Sequence, residues 1–129
     1  LWFYSFTKRF TFLAHGFLGL ALGLAPLGAW LAVRGDFEGD LWTPLALAGA
    51  VLCWVAGFDL IYACQDASFD RASGLHSLPA RFGIARSLLA SRALHVITVV
   101  LLALVWRRAE LGWIYLVAIV LSAALLVFE

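Results

Sequence analysis

Residues 41–63 read LWTPLALAGAVLCWVAGFDLIYA and residues 64–83 continue CQDASFDRASGLHSLPARFG. The first segment carries one charge, Asp59, in an otherwise apolar run. As a helix rising about 1.5 Å per residue it is long enough to cross a hydrocarbon core of about 30 Å. Thr43-Pro44 near its start suits a helix N-terminus, where the missing proline N–H costs nothing. The second segment is the longest polar stretch of the chain. Working outward, three more apolar runs appear, at about 10–33, 87–106 and 111–128, separated by the polar turns 34–40 and 107–110. The expectation is an all-α membrane protein with about four spans and a cap loop at about 64–86.

Composition agrees. Of the 129 residues 64% are hydrophobic and 13% charged, with a mean hydropathy of +0.98. Soluble domains are near half apolar and about one quarter charged, so a soluble fold of this size would leave too much apolar surface in water. The net charge of +1 says nothing about nucleic acid, and no basic stripe with interleaved aromatics points to it, so no nucleic-acid partner is expected. Cys53 and Cys64 stand eleven positions apart, with neither metal-type spacing nor a disulfide framework. The chain starts at Leu1 and lacks methionine, so it is read as beginning inside a longer or processed protein, without a signal peptide.

In the first run Gly19 and Gly23 form a small-xxx-small pair, read as a helix-packing surface, and Pro26 is expected to kink the helix. Positive residues set the orientation. Lys8, Arg9, Arg71, Arg81, Arg86 and Arg92 fall on one side and Arg34, Arg107 and Arg108 on the other, which makes the first side cytoplasmic. Lys8 and Arg9 therefore share a side with the polar stretch after Ala63.

Asp59, Asp66 and Asp70 fall at i, i+7 and i+11. On a continuous helix they return to nearly one face, with Tyr62 close by. A carboxylate at the bilayer centre costs roughly 2.5–3.5 kcal/mol on insertion scales, less near the interface, and acids one turn apart repel. A cation should compensate. Mg²⁺ suits the position, because it takes one or two carboxylates and completes its shell with water and phosphate oxygens. Arginines and Lys8 would neutralise the rest of a diphosphate. The plainer alternative is a solvated loop whose acids pair with Arg71 or Arg81. Asp59 argues against it, because an acid inside an apolar helix is by default a functional candidate.

The string F-D-x-x-Y-A-x-x-D-x-x-x-D over Phe58–Asp70, followed by Gly74-Leu-His-Ser-Leu-Pro-Ala-Arg-Phe-Gly83, resembles the second aspartate-rich motif of the UbiA superfamily of intramembrane prenyltransferases. Tyr4 to Thr11 resembles that family's Y-x-x-x-K-R segment. The resemblance covers essentially the whole chain and is nearest the 4-hydroxybenzoate polyprenyltransferase branch, including the related enzymes of the futalosine route to menaquinone. It implies Mg²⁺ on Asp66 and Asp70, with Asp59 orienting or deprotonating an aromatic acceptor near Tyr62. It also implies polyprenyl diphosphate contacts from Lys8 and Arg9, with Arg71 and His76 as further candidates. The membrane implied is a prokaryotic inner membrane, with the site facing the cytoplasm. His15 and His95 lie on helices, where histidines more often serve packing, and neither is assigned a role. The sequence departs from the family in lacking its first motif, N-D-x-x-D-x-x-x-D. Members have about nine spans, of which this chain would supply about four, from the middle to late portion. It would hold half a metal site and be inactive alone. A CDP-alcohol phosphotransferase is disfavoured because no D-G-x-x-A-R string occurs. A non-catalytic membrane subunit or transporter segment using Asp59 as a relay is the alternative of a different class.

Overall fold

The structure is a computed structural model and describes residues 9–128. Lys8 and the Tyr4–Thr7 part of the basic segment lie outside the described residues. Those described fold into α-helices joined by short turns: α1 (Ala14–Arg34), α2 (Trp42–Gln65), α3 (Ala67–Ala72), α4 (Leu78–Phe82), α5 (Ile84–Arg108) and α6 (Trp113–Phe128). Helices α1, α2 and α5 are long and apolar enough to cross a membrane. Helix α6 has 16 residues, a shorter apolar rod of about 24 Å.

Helix α2 is the centre. It packs along α1 on one side and α5 on the other, while α6 leans on α5. Its buried positions are nearly all small: Pro44, Ala46, Ala50, Ala56, Gly57, Leu60 and Ala63. Helices in lipid gain little from apolar burial, so close backbone approach and interhelical hydrogen bonds must hold them together. On α1, His15, Gly19 and Gly23 recur every fourth residue and are buried against α2. A Cβ at Gly23 would lie 2.8 Å from the Ala48 carbonyl oxygen, and one at Gly19 would strike the Leu52 carbonyl. The glycine pair is thus a contact surface, as its spacing suggested.

The α5 face is polar. Ser87, Ser91, His95 and Thr98 are buried. Ser91 donates to the Gly57 carbonyl at 2.8 Å. Thr98 donates to the Ala50 carbonyl at 3.3 Å and to its own helix at Leu94, 3.0 Å. Each interhelical bond of this kind contributes on average about 0.6 kcal/mol in membranes. His95 lies over Gly57, where a Cβ would meet the imidazole, and stacks at 5.1 Å on Phe58.

The helix limits differ from the apolar runs for local reasons. Helix α1 starts at Ala14 rather than Phe10, because the Thr11 hydroxyl accepts the Leu13 N–H at 3.1 Å and forms a turn that competes with the helix. Pro26 lies inside α1, which continues to Arg34 and ends on Gly35, left-handed at φ 79. At the start of α2, the Asp40 carboxylate accepts from the Trp42 N–H at 3.1 Å and the Thr43 hydroxyl at 3.0 Å. The polar stretch read as a loop contains α3 and α4. Helix α3 ends in a Schellman turn: Leu75 N–H reaches the Asp70 carbonyl at 2.8 Å, Gly74 N–H reaches Arg71, and Gly74 takes φ 67. Buried Ser77 then caps α4, accepting the Ala80 N–H at 3.3 Å.

Gly23→Val should force α1 away from α2. We expect a loss of about 1–3 kcal/mol, read as a lower melting temperature of the full-length parent in detergent. Gly28→Ala, with nothing within 4 Å of the added Cβ, should leave it unchanged or slightly raised.

Candidate functional site

The acidic residues gather where α2 leaves the membrane. Asp59 sits inside α2, six positions before its end, and its side chain keeps 17% exposure. Its Oδ2 lies 2.7 Å from Nδ1 of His15, in the first turn of α1. The two residues are 44 positions apart, yet they sit at the same depth because α1 begins, and α2 ends, at the same side. Asp59 also lines an open cavity of about 210 Å³ with Leu18, Trp54, Val55, Phe58 and Tyr62. Trp54 and Phe58 meet edge to face at 5.6 Å in its wall. An acid at the rim of an aromatic, apolar cleft is a recurring plan for small-molecule sites.

Asp66 and Asp70 are not on one unbroken helix with Asp59. Helix α2 stops at Gln65, Asp66 takes φ −92 and ψ 3, and α3 begins at Ala67. The Asp70 N–H still bonds to the Asp66 carbonyl at 2.8 Å, which carries one helical turn across the break. The two carboxylates consequently differ in setting: Asp66 is exposed, whereas Asp70 is 2% exposed beneath the cap. Among the described residues, no three histidine, cysteine or acidic side chains converge on a metal position. The donors present, carboxylate oxygens one turn apart, suit a hard divalent cation that draws its other ligands from water and phosphate.

Tyr62 is 63% exposed, one turn from both Asp59 and Asp66. Arg9, Arg71 and His76 are exposed on the same side as the cap. Arg81, an orientation marker in the sequence, has a structural role. Its guanidinium lies 4.7 Å from the ring centroid of Phe12 and 5.2 Å from that of Phe82. The two rings themselves meet at 5.7 Å, nearly perpendicular. This cluster fastens α4 to the segment leading into α1, next to Arg9. Sequence reasoning gave no role to His15. The signal that could have found it is the one that found Asp59: an ionisable group within an apolar run, at matching depth on an antiparallel neighbour.

A bundle of membrane helices with an aromatic, apolar cleft that Asp59 borders defines an intramembrane protein with a candidate active site. Residues 1–129 match the UbiA prenyltransferase family, and the chain belongs to that family. It is 35% identical over 98% of its length to a 4-hydroxybenzoate octaprenyltransferase from Marinobacter nauticus, and spans 42% of that protein. It is 38% identical over 87% of its length to the mitochondrial 4-hydroxybenzoate polyprenyltransferase of Arabidopsis thaliana, and spans 27% of it. The apo structure of a UbiA homologue from Aeropyrum pernix K1 superposes with a TM-score of 0.85 at 37% identity, covering 97% of this chain and 47% of that one. The chain thus spans less than half the length of the relatives it matches.

Replacing Phe12 with leucine keeps apolar bulk and removes the π face. We expect trypsin to cut the full-length parent in detergent faster within residues 71–86, by about twofold to fivefold, the equivalent of roughly 0.5–1 kcal/mol for an exposed cation–π contact. An unchanged cutting rate would show that the cluster does not restrain α4.

Proposed function

We propose that the full-length parent of this chain transfers a polyprenyl group from polyprenyl diphosphate to an aromatic acceptor such as 4-hydroxybenzoate, in quinone biosynthesis. The observation that carries this reading is Asp59 lining an aromatic cleft within α2, one helical exit away from Asp66 and Asp70. Names of relatives at about this similarity, 4-hydroxybenzoate octaprenyl- and polyprenyltransferases, support the acceptor class.

In this reading Asp66 and Asp70 would hold Mg²⁺, which when bound neutralises charge on the diphosphate oxygens. Lys8, Arg9, Arg71 and His76 hold the diphosphate through charge-assisted hydrogen bonds. The allylic C–O bond breaks and its electron pair departs with diphosphate. The acceptor ring, beside Tyr62, supplies the pair for the new C–C bond, and its displaced ring proton passes to the Asp59 carboxylate. The apolar wall of Trp54, Phe58 and Leu18 keeps water from the allylic cation. The site opens to the cytoplasmic side of a prokaryotic inner membrane, and residues 1–129 alone, holding one acidic half, do not turn over. A second reading, a non-catalytic membrane subunit or transporter segment, draws on the same His15–Asp59 pair as a proton relay.

The discriminating measurement is transfer from radiolabelled polyprenyl diphosphate to 4-hydroxybenzoate by the full-length parent in membranes, with and without Mg²⁺. We expect metal-dependent product, and a loss of at least about a hundredfold in kcat for Asp66→Ala. Wild-type rates in that variant would remove Asp66 from the machinery. Unconsumed diphosphate with every aromatic tried would favour the relay.

A further inference from the structure

The His15–Asp59 contact joins two ionisable side chains on neighbouring spanning helices, each set in an otherwise apolar run. His15 is 2% exposed. Its Nε2 is buried without a hydrogen-bond partner among the described residues. All of the ring's directional bonding therefore goes through Nδ1 to Asp59 Oδ2, at 2.7 Å. We assign the proton to Nδ1, which sets a donor opposite the carboxylate oxygen as acceptor. Burying an imidazole and a carboxylate together brings little net stability, because their desolvation offsets the attraction and a well-packed apolar pair does as well. Two neighbouring features sharpen the point. One turn further along α1, Gly19 packs directly on the α2 backbone, so this interface has no need of a polar pair to close. Asp59 also borders the cleft of Leu18, Trp54, Val55, Phe58 and Tyr62, so whatever sets its carboxylate plane sets what the cleft presents.

We propose that His15 is a positioning residue: by donating from Nδ1 to Oδ2 it locks the Asp59 carboxylate in the orientation in which it meets the aromatic acceptor. This rests on the prenyl-transfer reading above. A rigid ring on a packed neighbouring helix narrows the planes that the carboxylate samples. The gain is in the chemical step rather than in diphosphate capture, since His15 meets Asp59 within the helix pair whereas Arg71 and His76 sit on the cap.

The test uses the full-length parent reconstituted in membranes, with His15→Leu and His15→Asn. The asparagine amide nitrogen can stand at the Nδ1 position and keep the donor. We expect His15→Leu to lower kcat about a hundredfold, the scale of a misplaced catalytic group. The KM for polyprenyl diphosphate should stay within about twofold, as for an interaction made in the transition state. His15→Asn should recover at least about tenfold of the loss. Equal losses in both variants, unchanged rates, or a change confined to the KM for diphosphate would overturn the proposal. Should leucine prevent folding, His15→Gln replaces it, because its amide reaches the Nε2 position instead, and the same ordering against asparagine is expected. In parallel, the infrared carboxylate band assigned by an Asp59→Asn difference spectrum should shift in His15→Leu and return in His15→Asn. An unmoved band would overturn the pair independently of turnover. Wild-type parent inactive toward every aromatic would sink the functional reading instead, and the band would still decide whether His15 orients Asp59.

Discussion

The small-residue surface of α2 is the constraint on which the rest depends. Lipid offers no hydrophobic drive for helices to associate, so α1 and α5 must be held by contact distance and by hydrogen bonds that work only at that distance. Ala46, Ala50, Ala56, Gly57 and Ala63 bring the backbone of α2 to the surface. Gly19 and Gly23 answer from α1 by direct backbone approach. Ser91 and Thr98 answer from α5 by reaching the Gly57 and Ala50 carbonyls. The two sides use different means, but each fails if α2 carries larger side chains at these positions.

That close packing also makes the site possible. A histidine in the first turn of one helix and an aspartate near the end of another meet at 2.7 Å only if the axes are near and the depths agree. The neighbouring Gly19 contact supplies the nearness, and the shared membrane side of the helix ends supplies the depth. At the opposite end the polar groups do humbler work: Asp40 accepts from Trp42 and Thr43 at the start of α2, Arg34 reaches the Glu38 carbonyl at 3.3 Å, and Arg34 and Arg108 lie near the rings of Trp30 and Trp42. Tryptophan and arginine at a helix end are the usual furniture of a membrane interface. The ionisable pair buried between spanning helices is found at the site end.

Of the four expected spans, three correspond to helices long and apolar enough to cross, α1, α2 and α5, while the last run forms the shorter α6; length and apolarity are local properties and so are legible. The Gly19 and Gly23 contact was legible from spacing alone. The break at Asp66 was not: periodicity places Asp59, Asp66 and Asp70 on one stripe of a continuous helix, whereas the chain turns at Asp66 and leaves one acid exposed and the other covered. Helices as short as α3 and α4 have no stability of their own, so their existence depends on the packing around them. Part of their punctuation was nevertheless visible in Gly74 at the Schellman turn and in Ser77 followed by Pro79. The His15–Asp59 contact was hidden for a different reason, since no local rule joins residues 44 apart.

Two ties connect the start of α1 to the acidic segment, at different depths. Within the membrane His15 holds Asp59. On the cap, Phe12 stacks with Arg81 and Phe82 and so fastens α4. Both ties spring from residues three positions apart, and Arg9 precedes Phe12 by three positions and His15 by six. A displacement of this stretch would therefore move Asp59, the cap helix and a basic side chain together. The Schellman turn that follows Asp70 is continuous with the chain that Arg81 anchors. The start of α1 and the turn leading into it are thus the mechanical reference for the acidic segment, and the short polar chain between α2 and α5 is ordered by what it touches there as much as by its own sequence.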